Sequence, residues 1–191
     1  MGLDLHCKDK TLHCGYSYVH FVRKYLTQMT IEYLQTITFR DKFQPEESLK
    51  DYYIPSPHDD SQDKEIDHEE QEGDFNSRKK KLINFLEQTL IPNTILSQIN
   101  YTIWSINSSD VDYYMKEFGI IGLKHFVNHS DCEGYLTLGE SMDIISLISR
   151  IYKFKDKYIS SDELRGDNIF FDDLIDLLKT SVDNKTYIVF G

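Results

Sequence analysis

The chain of 191 residues contains no alanine. Alanine is the strongest helix former, so no segment here holds a helix by intrinsic preference alone. Helices must instead be stabilised by burying one apolar face against the rest of the molecule. Alanine codons begin with GC, so the gap, with its abundance of Ile, Lys, Asp, Ser and Tyr, is the imprint of an AT-rich genome. The tyrosines and lysines therefore carry little functional information by number, and periodicity is the signal to read.

Val22, Leu26, Met29, Tyr33 and Ile37 recur at spacings of three and four and predict an amphipathic helix over about 17–38. Leu82, Phe85, Leu86 and Leu90 predict a second that ends before Pro92, and Ile95, Ile99, Ile103 and Ile106 a third beside Trp104. Ser109 resembles the cap of a fourth carrying Val111, Tyr114, Met115 and Phe118, which Gly119 and Gly122 bend or break. Leu138, Met142, Ile145, Ile148 and Tyr152 mark a fifth, and a last helix over about 168–181 buries Phe170, Leu174, Leu177 and Leu178. Ser160 to Glu163 has the spacing of a capping box.

The two ends differ from this body. Thr186 to Phe190 is a β-branched and aromatic run, and Leu3–His6 and Thr11–Cys14 flank Lys8-Asp9-Lys10 as a hairpin would. The expected fold class is α+β: a mostly helical single domain over 1–191, about six helices, with a small antiparallel sheet formed by the N- and C-terminal segments.

Nine acids fall between Asp59 and Asp74 against one base, Lys64, so most of the net charge of −11 sits in one short stretch. The stretch follows Pro55 and Pro57 and reads as part of an acidic flexible insertion over 45–77. The cluster Arg78-Lys79-Lys80-Lys81 follows directly, and its simplest role is to neutralise those acids and open the next helix. Four bases beside nine acids make a poor phosphate-binding surface, so no nucleic-acid partner is expected. Tyr52-Tyr53-Ile54-Pro55 could serve as an exposed docking segment for a protein partner. No apolar run approaches about 18 residues, so no membrane span is expected. The N-terminus lacks the basic and apolar regions of a signal peptide. With Cys7, Cys14 and Cys132 odd in number, reduced thiols and a cytoplasmic location are expected.

Reactive side chains are densest in Asn128-His129-Ser130-Asp131-Cys132-Glu133-Gly134-Tyr135-Leu136-Thr137. Four chemistries compete for it. With Gly134 as the sixth residue of an EF-hand-like loop from His129 to Glu140, the side chains of Asp131, Glu133, Thr137 and Glu140 and the Tyr135 carbonyl fall at calcium-ligand positions. His129 then stands where a carboxylate belongs, and imidazole suits a hard cation poorly. His129 and Cys132 have the spacing of a zinc-ligand pair, to which Cys14, His13, Cys7 or His6 could add ligands if the chain's beginning folds back. Cys132, or Cys14, with His129 as base could act as a nucleophile in a small, possibly metal-assisted enzyme; Asp131 and Glu133 would oppose thiolate formation at Cys132. Finally, Thr137 and Glu140 fit a helix-capping box, Gly134 a turn, and Cys132 a small buried hydrophobe. GxGxxG, Walker A, HExxH and GxSxG motifs are absent, which excludes the commonest nucleotide, zincin and hydrolase signatures.

The segment His129-Ser130-Asp131-Cys132-Glu133-Gly134 resembles the HSDC(D/E)G motif of a family of small uncharacterised proteins of bacteria and their phages. Cys14-Gly15-Tyr16-Ser17, with Phe21 and Arg23, is similar to the opening of the same family. The resemblance covers about 25 positions in two blocks and brings no activity; it implies that the two blocks are neighbours in space. The expected function is that of a small non-enzymatic binding or regulatory protein with a structural or ion-binding 129–140 loop, zinc and calcium being the ions in question. The alternative is the Cys132–His129 enzyme.

Overall fold

A computed structural model describes residues 2–39, 43–59, 68–90, 109–129, 133–158 and 165–191. The predicted third helix over 95–106, the 160–163 capping box and residues 60–67 and 130–132 lie outside them.

The chain opens with a hairpin, β1 (Gly2–Cys7) and β2 (Lys10–Gly15), closed by a two-residue turn. Lys8 in that turn has φ 57°, the left-handed conformation such turns need. The C-terminal β4 (Ile188–Phe190) pairs antiparallel with β1, and a short β3 (Gly134–Leu136) pairs antiparallel with β4. The strand order is β2-β1-β4-β3, so both termini are joined in one sheet, as expected. The third contributor, β3, was not foreseen; three residues after a glycine leave no alternation to read.

Alternation sorts the sheet into two faces. Leu5, Cys7, Leu12, Leu136, Ile188 and Phe190 are buried against the helices. Tyr135 and Val189 point the other way, 61% and 39% exposed, and Tyr187, just ahead of β4, is 57% exposed. One face is core and the other is open, which suits an antiparallel sheet.

The helical body follows the predicted stripes with informative shifts. In α1 (Tyr16–Thr36), Val22, Leu26, Met29 and Tyr33 are buried, as is the capping Ile37. The second helix begins much earlier than predicted: α2 runs His68–Thr89 and buries Phe75, Leu82 and Leu86. Its first turns hold the end of the acidic run. Arg78 pairs with Asp74 one turn back and with Glu117 at 2.8 Å, while Lys79 donates to the Ile37 carbonyl at 2.9 Å. These two bases of the cluster are thus spent within the fold.

Gly119, at φ 66°, separates α3 (Ser109–Glu117) from α4 (Ile121–Asn128). Helix α5 (Leu138–Ile151) is buried on several sides through Ile144, Ile145, Leu147, Ile148 and Ile151, a wider surface than the single predicted stripe. It packs on α4, on α1 and on α7 (Arg165–Asp183), with the short α6 (Lys155–Tyr158) between.

The expected flexible insertion over 45–77 needs correction in its described parts. Its last residues are helical, as above. Before them, residues 43–59 form a strap with a 3-10 turn at Glu47–Tyr52, and Leu49, Ser56 and His58 are buried. The strap is held by Arg150, whose side chain is 0% exposed. Its guanidinium donates to Asp59 (Nη1 and Nη2 both 3.1 Å from Oδ2), to the Ile54 carbonyl (2.7 Å) and to the Gly119 carbonyl (3.1 Å). Phe43 and Tyr53 lie on it with ring centroids 4.8 Å from the guanidinium carbon. A buried charge is tolerable only when paired and hydrogen-bonded, and this one is both. The segment Tyr52–Pro55 is therefore not a free docking peptide: Tyr52 donates to Asp183 at 2.8 Å, and Tyr53 donates to Asp59.

No helix among the described residues is long and apolar enough to cross a membrane.

Candidate functional site

Helix α4 ends at Asn128, and His129 caps it in extended conformation. Two contacts fix this bend. The His129 ring stacks on Phe190 of β4, centroids 3.6 Å apart and planes 21° apart. The His129 carbonyl accepts from Nη2 of Arg23 at 2.6 Å, and Arg23 is itself buried in α1. The N-terminal block and the histidine bend thus meet, through Arg23 directly and through the β1–β4 pairing of Leu5 with Phe190.

Across the ladder Gly134 faces Phe190, and φ at Gly134 is 131°. A Cβ there would lie 3.1 Å from Cε1 and 3.2 Å from Nε2 of the His129 ring. Glycine is thus favoured by its backbone angle, and a larger residue would also press on the imidazole. Three residues on, Thr137 caps α5. Its hydroxyl accepts from the Glu140 amide at 3.2 Å, while its own amide and hydroxyl donate to Glu140 Oε2 at 2.8 and 2.9 Å. This is the capping box read from the sequence.

The second oxygen of Glu140 lies 3.6 Å from Nδ1 of His125, whose Nε2 is 3.1 Å from the Asp143 carboxylate. The imidazole is therefore bracketed by two carboxylates. Beside it opens a cleft of about 400 Å³ lined by Lys124, His125, Asn128, His129, Glu133, Gly134, Tyr135 and Glu140. Its lysine is already engaged, with the Asp112 oxygens 2.5 and 2.6 Å from Nζ. Sequence reasoning missed Lys124 and His125; their spacing of four and three from Asn128 on α4 was the available signal.

The candidate residues are placed as follows. His129 and Glu140 both line the cleft, each already engaged, one by stacking and one by capping. Asp131 and Cys132 lie outside the described residues. His13 is on the open sheet face, its Nδ1 2.8 Å from Asp4, whereas His129 lies against the opposite, Phe190-bearing face. The structure does not bring these two histidines together. Cys14 lies on β2 opposite Leu3, its side chain outside the described part of the structure. Cys7 is buried, and burial pushes its thiol pKa up, which makes it a poor nucleophile. His6 is exposed, its ring 2.9 Å from Thr11. Of the EF-hand positions, Tyr135 sits in β3, Thr137 caps α5 and Glu133 is exposed. Among the described residues no group of three or more His, Cys, Asp or Glu side chains is placed to hold a metal ion. Comparison with protein-family models, with curated proteins and with solved structures gives no match for this chain.

Proposed function

We propose that this is a non-enzymatic binding protein and that its 129–140 bend is a structural joint framing the recognition cleft. One observation carries the reading: the two described side chains that catalysis or ion binding would need, His129 and Glu140, are already engaged, by the Phe190 ring and by the helix cap. A base must be within reach of the proton it takes, and a stacked imidazole whose edge abuts Gly134 has little freedom to turn. The surface that remains is a cleft of mixed polarity between α4 and β3.

Thiol alkylation at neutral pH tests this. A nucleophile needs a lowered thiol pKa, and its labelling rate exposes it. The binding reading expects Cys7, Cys14 and Cys132 all to react no faster than an unperturbed cysteine peptide. Labelling of Cys132 about ten-fold faster or more, abolished in His129→Ala, would overturn it in favour of a Cys132–His129 enzyme.

A further inference from the structure

Among the described residues the sheet has an unpaired edge at the cleft. Asp4 and Gly191 exchange both of their backbone hydrogen bonds, each 3.0 Å. An antiparallel ladder alternates, so Val189 bonds toward β1, while Phe190 and Ile188 bond toward Gly134 and Leu136. The amide and carbonyl of Tyr135 consequently point away from β4, and neither has a hydrogen-bond partner among the described residues. Beside them lie the cleft, with Glu133 and Glu140 in its lining, and the exposed rings of Tyr135 and Tyr187, 5.9 Å apart.

We propose that this edge receives an extended segment of a partner protein as an added strand, with a lysine or arginine side chain of that segment in the cleft. The inference rests on the binding reading above and names the class of partner. Strand addition takes its affinity from main-chain hydrogen bonds and its specificity from pockets for alternate side chains, and both parts are present here. Charge selects the occupant. Glu133 is the exposed carboxylate of the lining, since Glu140 serves the helix cap and Asp143 faces His125, and the one lysine of the lining, Lys124, is neutralised by Asp112. A cation is the complementary guest. A nucleic acid would bring phosphates beside Glu133 and Glu140, which charge opposes.

The test is a nuclear magnetic resonance titration of the full chain with a blocked peptide of alternating valine and lysine. The expected result is saturable shifts concentrated at Gly134–Thr137 and Lys124–His129. Binding should weaken about ten-fold or more when lysine is replaced by glutamate. It should be lost when the peptide's central amide is N-methylated, since that removes a main-chain donor. Glu133→Lys should weaken it several-fold; Glu133 is exposed and outside the helix cap. Absence of saturable shifts, equal binding of the lysine and glutamate peptides, or shifts centred on His6 and Val189 would overturn the proposal. So would concentration-dependent changes at β3 without peptide, which would mean a second copy. These failures leave the thiol rates untouched, so the strand proposal can fall while the binding reading stands.

Discussion

Arg150 shows how one buried side chain can anchor a region far from it in sequence. It lies near the end of α5 among Ile148, Ser149 and Ile151, where every neighbour is buried, and gathers the strap, α1 and the Gly119 turn around its guanidinium. Burial opposes its charge and that of Asp59, but the surrounding groups outweigh it: Arg150, with hydrogen bonds from Tyr53 and Ser56, holds Asp59 below the usual carboxylate range, and Tyr33 together with Asp59 holds Arg150 above its ordinary value. Removing one partner strands the other, so Arg150→Met should cost about 3–5 kcal/mol in urea denaturation, and a further Asp59→Leu should recover much of it. A loss below about 1 kcal/mol would contradict the buried pairing. At the bend, Gly134→Ala should cost about 1–3 kcal/mol for its backbone angle alone, read as a lowered denaturation midpoint. The capping box was legible because it is local, four residues with fixed chemistry. The Arg150–Asp59 pair was not, because 91 residues separate partners that no periodicity connects.

At the level of elements, the strap over 43–59 shows why charge and proline misled. Pro55, Pro57 and the acids at 59 and 60 have loop composition, yet Leu49, Ser56 and His58 are buried and Asp59 is an anchor. Its attachment should depend on pH in a definite sense. The folded pKa of Asp59 lies below its unfolded value, so its contribution is complete above about pH 4 and is lost as pH falls through the folded value. Hydrogen exchange at 43–59 should rise on acidification in the wild type, and in Asp59→Asn should already be raised at pH 7. Equal protection of the two proteins at pH 7 would contradict the anchor. On the alkaline side, burial and the hydrogen bond to Asp183 push Tyr52 up to about 12. Its contribution is complete below about pH 10 and fades as pH rises toward 12.

For the whole molecule, the α+β class and the joining of both ends in one sheet were legible, because strand runs at the termini contrast with three-and-four periodicity between them. The candidate site was legible only in part. His129, Glu140 and the Thr137 cap were found, but the cleft needed α4 residues whose role arises when Phe190 brings the C-terminus under the bend. A strand of three residues, β3, carries too little pattern to be seen before its partner is known. The account therefore hangs on one long-range contact, the imidazole of His129 on the ring of Phe190. A double-mutant cycle of His129→Ala and Phe190→Leu, followed by urea denaturation, measures it directly. The expected coupling is about 0.5–1.5 kcal/mol, as for other stacked aromatic pairs. Strictly additive effects would contradict the claim that the bend is built on the terminal sheet.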